Sequence, residues 1–350
     1  MLSNYSVALR MGRIAIVHFL CFILLVFLFV FSCSSEKKRM REAKEHYVKG
    51  RKAYLLFTPK SLDEAINEYE KAVNLNTTYA PAYAGLGEAY SFKGLLEEQN
   101  TNKKDNGLYN KALKYSQKAV ELSPNTGESH RALASAYRAL GRFDDAKREV
   151  GKAIELNPND SEAYYILWTV TGADTDSKYI KKAIELNPNL SVAYNDLGYV
   201  YYTRGKYEKA AEYLRRAIEI NPDLVQAHTN LGLTLVAEKR FDEAQEEYRK
   251  AIQIDPNYLI AHYNLGVVLG AQNRIDEAID EFKKAIGINP SFPEAHLTLA
   301  LAYESKGDRK SAKEEYQKFV NLASVNKSRY EKLISEAENR IKKLGGGDKL

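Results

Sequence analysis

Six of the nine prolines fall on one lattice. Pro124, Pro158, Pro188, Pro222, Pro256 and Pro290 are separated by 34, 30, 34, 34 and 34 residues. A period of 34 held over that distance marks a stack of helical hairpins, each too small to bury its own apolar face and each completed by its neighbours. Stacks of this kind present surface; by themselves they rarely do chemistry.

Aligned on those prolines, with the third residue after each counted as slot one, the chain repeats at several positions. Slot seven holds Leu133, Leu167, Leu197, Leu231, Leu265 and Leu299. Slot eight is small (Gly87, Ala134, Gly198, Gly232, Gly266, Ala300) and slot eleven bulky (Tyr90, Tyr137, Tyr201, Leu235, Leu269, Tyr303). Slot twenty is alanine in almost every repeat from Ala65 to Ala312, and slot twenty-seven from Ala72 to Ala285. Slots four, seven, eight and eleven share one face of a first helix, and slots twenty, twenty-four and twenty-seven share one face of a second. Gly141, Gly205 and Gly307 stand where a left-handed cap ends the first helix; Asn273 can serve there, and Lys239 departs from the rule. The proline stops the second helix.

This pattern resembles the tetratricopeptide repeat family. The resemblance implies an all-α, right-handed α-solenoid of about eight helical hairpins. The units are 44–79, 80–126, 127–160, 161–190, 191–224, 225–258, 259–292 and 293–326. Tyr330, Leu333, Ile334, Ala337, Ile341 and Leu344 stand at helical spacing, so residues 327–344 read as a C-terminal capping helix before a tail, 345–350. Two units break the period. Residues 80–126 carry 13 extra residues, which the polar run Glu97–Gly107 places in a solvated loop. Residues 161–190 lack four, and Trp168, in the normally small slot eight, is expected to fill the space left there and to mark a local change of pitch.

The amino terminus is not part of the stack. Ile14–Phe31 is an apolar run of 18 residues behind Arg10 and Arg13, so 1–32 read as a signal peptide or membrane anchor helix and 33–43 as a basic linker. Val30-Phe31-Ser32-Cys33 resembles a bacterial lipobox, which implies cleavage before Cys33 and its lipidation. The alternative is an uncleaved anchor: Lys37, Lys38, Arg39 and Arg41 follow the run, and positive residues tend to stay cytoplasmic. The first reading puts the repeats in the bacterial cell envelope facing the periplasm, the second in the cytoplasm; both tether them to a membrane.

Residues 1–42 hold six basic and two acidic side chains, most of the +5 formal charge. The near-neutral repeats offer no overall basic balance for nucleic acid. Cys21 and Cys33 are the only cysteines, so the repeats have no cysteine metal site or disulfide. His130, His228, His262 and His296 all occupy slot four; the last three recur every 34 residues, so they read as packing groups rather than metal ligands. Acidic pairs such as Asp144-Asp145 and Asp242-Glu243 begin second helices, where they complement the helix dipole. No phosphate loop, nucleophile elbow or zinc-protease motif is present. No catalytic residue, cofactor or metal is expected, and partners are other proteins or peptides.

In the tetratricopeptide family, slots two, five, nine and twelve line the concave groove. Carried over, residues 191–305 present an apolar strip that includes Asn195, Tyr199, Tyr202, Thr229, Leu233, Val236, Tyr263, Val267, Leu297 and Leu301. Slot six adds Asp196, Asn230, Asn264 and Thr298, where asparagine amides could grip a peptide backbone. This resembles the repeat arm of O-linked N-acetylglucosamine transferases, without their catalytic domain. The earlier units present more polar residues, among them Glu88, Glu128, Arg131, Arg138 and Glu162; Arg131 and Arg138 alone do not build the carboxylate clamp of chaperone-binding members. The reading is a membrane-tethered scaffold that docks an extended segment or a partner helix, as pilus and secretin assembly lipoproteins of this family do. Its alternatives are a cytoplasm-facing scaffold and a substrate-binding subunit of a separate enzyme.

Overall fold

The computed structural model describes residues 35–101 and 104–345, and every regular element among them is helical. Residues 35–54 form α1. Four hairpins are completed by α2 (Pro59–Leu75), α3 (Ala80–Thr101) with α4 (Asn106–Leu122), α5 (Gly127–Ala139) with α6 (Phe143–Leu156), and α7 (Ser161–Val170) with α8 (Lys178–Leu186). Four more follow: α9 (Ser191–Thr203) with α10 (Tyr207–Ile220), α11 (Val225–Ala237) with α12 (Phe241–Ile254), α13 (Leu259–Ala271) with α14 (Ile275–Ile288), and α15 (Pro293–Lys306) with α16 (Arg309–Ala323). A 3-10 turn (Ser324–Asn326) leads to α17 (Lys327–Gly345), which lies against α16 through Tyr330, Ile334 and Ala337.

The lattice residues act as punctuation. The residue before five of the six lattice prolines ends the second helix and turns the chain with its own side chain. Asn157, Asn187, Asn221 and Asn289 accept through Oδ1 from the backbone N–H two residues on, at 2.9–3.2 Å, and Asp255 does the same at 3.0 Å. Gly141, Gly205 and Gly307 have φ of 77°, 69° and 86°, and the same left-handed corner is filled by Lys239 at 62° and Asn273 at 63°.

Small residues at slot eight let the hairpin close. A Cβ on Gly232 would lie 2.5 Å from Tyr248 Cε1, and one on Gly266 would lie 2.7 Å from Phe282 Cε1. Trp168 replaces the small residue only where the second helix is cut to nine residues, α8. It is buried, and its Nε1 donates to Asp174 O at 2.8 Å, tying down the short connection. The stack has a seam here. First helices pack directly from α3 to α5 to α7, and again from α9 to α11 to α13 to α15. Across the seam the Tyr165 hydroxyl donates to Asp196 Oδ2 at 2.6 Å.

Two expectations need correction. The polar segment Glu97–Gly107 is not all loop: α3 continues through Thr101, and Asp105, in an exposed connection, caps α4 by accepting from Gly107 N and Leu108 N. The insertion lengthens two helices because its polar residues lie on faces of a continuing helix. Within the segment read as a linker, residues 35–43 are the first turns of α1, with Lys38–Glu42 and Arg41–Glu45 pairs at 3.9 and 3.8 Å. The apolar run Ile14–Phe31, the anchor helix and Cys33 lie outside the described residues; among those described, no helix is long and apolar enough to cross a membrane.

Candidate functional site

The concave face divides at the seam. In the front hairpins Arg51, Glu88, Arg131, Asp160 and Glu162 form one ionic cluster. Arg131 on α5 donates from Nε to Glu88 Oε1 and from Nη1 to Asp160 Oδ2, both at 2.7 Å. Arg51 on α1 donates to Glu88 at 3.2 Å and also to Glu162, and Tyr47 donates to Glu128. Arg131, Glu88 and Asp160 are all buried. Burial pushes the Glu88 carboxyl up against the pull of Arg131 and Arg51; at Glu162 the same guanidiniums outweigh burial and hold it below its ordinary value. With these partners Arg131 has no free face for a ligand carboxylate.

Further along, the chain fills its own groove. The seated end of α3 carries Phe92, Leu95, Leu96 and Gln99, which line one cavity with Arg138, Tyr165, Val192, Asn195, Asp196, Leu224 and Gln226. Phe57, from the α1–α2 turn, joins them. It is buried at φ 54°, a left-handed backbone unusual for a bulky residue, with its ring 4.9 Å from that of Phe92. Two asparagines from the lattice fasten front to back: Asn221 Nδ2 donates to Leu56 O at 3.2 Å, and Asn289 Nδ2 donates to Thr101 O at 2.8 Å. The sequence reading missed this occupant. Its signal was present, since Phe92, Leu95, Leu96 and Gln99 stand at i, i+3, i+4 and i+7.

Beyond α3 the groove is open. Tyr199, Val267 and Leu301 are 44%, 40% and 37% exposed, and Tyr202, Leu233, Val236, Tyr263 and Leu297 are half-buried along the same strip. Tyr199 and Tyr202 stack at 6.0 Å. The expected amide ladder is differently employed. Asn195, 6% exposed, accepts from Asn230 Nδ2 at 2.9 Å and donates to Asp196 at 2.8 Å, and Asp196 accepts in turn from Tyr165. Burial raises the Asp196 carboxyl. Thr229, 2% exposed, and Thr298 return their hydroxyls to the backbone of their own helices. Asn195 therefore ties α9 to α11, Thr229 is spent within its own helix, and both are closed to a partner. Asn264, half-buried, keeps an Nδ2 with no hydrogen-bond partner among the described residues.

The slot-four histidines form a repeated tie. In His130, His228, His262 and His296, Nε2 meets the carbonyl of Pro124, Pro222, Pro256 or Pro290 at 2.9–3.1 Å. Nδ1 meets Glu149, Glu247, Glu281 or Glu315 of the same hairpin at 2.6–2.7 Å. Each ring thus bridges the turn that precedes its own helix and the facing helix of the same hairpin. Burial would raise these glutamates, but the imidazole and a lysine three residues on outweigh it and hold all four below the ordinary carboxylate value. His46 and Glu68 repeat the side-chain pair in the first hairpin at 2.7 Å. No group of three or more potential ligands that could hold a metal occurs among the described residues.

The comparisons agree with this architecture. No curated protein matches the chain in sequence. Among solved structures of similar fold are the APC/C hetero-tetramer Cut9–Hcn1 (TM-score 0.65, 17% identity, 84% of this chain and 54% of that one) and yeast Tom70 (0.53, 20%, 85% and 64%). Pseudomonas aeruginosa pilF matches at TM-score 0.51 and 20% identity over 56% of this chain and 91% of that one. The chain thus spans about half the length of the Cut9–Hcn1 chain it matches. The TPR repeat family matches residues 54–94, 198–238, 234–273 and 269–307, and models described as tetratricopeptide repeat match 104–167, 179–212 and 293–326. With most of its helical stack covered by these matches, the chain belongs to the tetratricopeptide repeat family.

Proposed function

We propose that this protein is a non-catalytic, membrane-tethered scaffold that docks a segment of another protein in the back half of its concave groove, in the assembly of a cell-envelope complex. The observation that carries the docking is the apolar strip Tyr199–Leu233–Val267–Leu301, one residue on each of α9, α11, α13 and α15, exposed except at half-buried Leu233, where a stack of this family presents its inner face. Scattered exposed apolar residues need no explanation, but a continuous row on a concave face does. The tether rests on the Ile14–Phe31 run, and the envelope on the lipobox-like Val30–Cys33.

Replacing Tyr199, Val267 and Leu301 together with glutamate is expected to abolish capture of particular membrane proteins by the full-length chain while helicity stays unchanged. Identical captures, compared by mass spectrometry, would overturn the groove assignment. Metabolic labelling with a fatty acid, lost in Cys33→Ser, tests acylation, and a C-terminal reporter active only after export tests orientation. A cytoplasm-facing anchor is the second reading, favoured by Lys37, Lys38, Arg39 and Arg41 directly after the apolar run.

A further inference from the structure

We infer that the groove is shaped for an amphipathic α-helix, and that the last turns of α3 are a resident copy of that helix which a partner helix displaces. This rests on the groove reading above and names the class of partner: a helix with large apolar residues at i, i+3 and i+4.

Three observations carry it. The first is length and pattern. The other first helices from α5 to α15 have 10 to 14 residues, whereas α3 has 22. Its additional turns supply Leu95, Leu96 and Gln99, which with Phe92 make the anchor spacing of a helix laid in a groove and face Val192 and Leu224. The second is incomplete polar matching. Gln226 Oε1 and Arg138 Nε, on residues that line the cavity with α3, and Asn100 Oδ1 on α3 itself are buried without a hydrogen-bond partner among the described residues. Each unpaired buried polar atom raises the free energy of the seated state relative to one in which a ligand or solvent meets it. The third is incomplete coverage. With α3 in place, Tyr199, Val267 and Leu301 remain open, so a longer apolar stripe than α3's would bury more surface in the same groove.

The probe is a fluorescein-labelled peptide of residues 89–101, and binding is read by anisotropy against three full-length proteins. The first is wild type. The second is Phe92→Glu with Leu96→Glu, which unseats α3. The third is Thr101→Cys with Asn289→Cys in a Cys21→Ser, Cys33→Ser background, which pins α3 by a disulfide. The unseated variant is expected to bind the peptide at least ten-fold more tightly than wild type. The pinned protein should bind at least ten-fold more weakly than the same protein after reduction. Equal binding by all three overturns the proposal. If the glutamate pair impairs folding, seen as lost helicity, the pinned protein compared with itself before and after reduction decides alone. If the peptide binds none of them while the glutamate strip variant still abolishes partner capture, the helix class is wrong and the groove stands. If neither assay responds, both readings fall.

Discussion

The front and back of this stack use the same repeat to opposite ends. From α1 to α8 the concave face is turned inward: two arginines and three carboxylates neutralise one another, and Phe57 and the end of α3 lie over what remains. From α9 to α15 the same slots carry tyrosine, leucine and valine, half-exposed or exposed. The two regions meet at the shortened hairpin α7–α8. The lesson is that a groove position in a repeat protein has no fixed role. Whether it binds a partner or holds the fold depends on what the distant chain brings against it.

The largest expected effect tests that contrast directly. Arg131→Met leaves Glu88 and Asp160 buried beside too little positive charge and should cost about 3–5 kcal/mol. Arg240→Met removes an exposed, solvent-screened pair with Glu243 in the back half and should leave the urea midpoint nearly unchanged. Urea titrations of both variants check this, and equal losses would erase the distinction between front and back.

Next in size is the close approach of the hairpin helices. Gly232→Ala drives a methyl into the rigid ring of Tyr248 and should cost about 1–3 kcal/mol, read from thermal melts. A back half that tolerates this change would be looser than the close ring contact requires.

The acid response comes third. Glu149, Glu247, Glu281 and Glu315 are held low in the folded state, so their contribution is present above the unfolded carboxylate value, about 4.3, and is lost as pH falls through the folded values. The melting temperature should be insensitive to these groups above about pH 5 and fall below about pH 4. Glu281→Gln should flatten that fall. Because three of the four ties lie behind the seam, hydrogen exchange at pH 4 should show the back half opening before the front; the reverse order would assign acid sensitivity to the ionic cluster instead.

The smallest effect is at Lys239, whose left-handed corner is filled by glycine in three other hairpins. Lys239→Gly should stabilise the protein by about 0.5–1 kcal/mol, measurable by urea denaturation. No gain would mean that the lysine side chain makes up for its backbone.

Much of this was readable beforehand because it is periodic. The slot-four histidines fell on the packed face, and their partners Glu149, Glu247, Glu281 and Glu315 recur 19 residues later. Gly232 and Gly266 announced close contacts, and Trp168 announced the repair of a short hairpin. Other residues misled because their neighbours are not periodic. Glu97 to Gly107 looked solvated by composition, although Phe92, Leu95 and Leu96 just before it already carried a helical stripe. Asn195 and Thr229 looked like ligand contacts by slot, yet each is closed by bonds within the stack.

The sequence by itself determined the helices, their caps, the pairing within each hairpin and the order of stacking, since all of these depend on residues three to about forty positions apart, repeated many times. Only the tertiary structure decided that Leu56 meets Asn221 and Thr101 meets Asn289, contacts between residues 165 and 188 positions apart. The rotation between successive hairpins is small, set by many side chains at once, and its sum over several units places the front of the stack against the back. No local spacing records that sum, and so the occupant of the groove became visible only in the folded molecule.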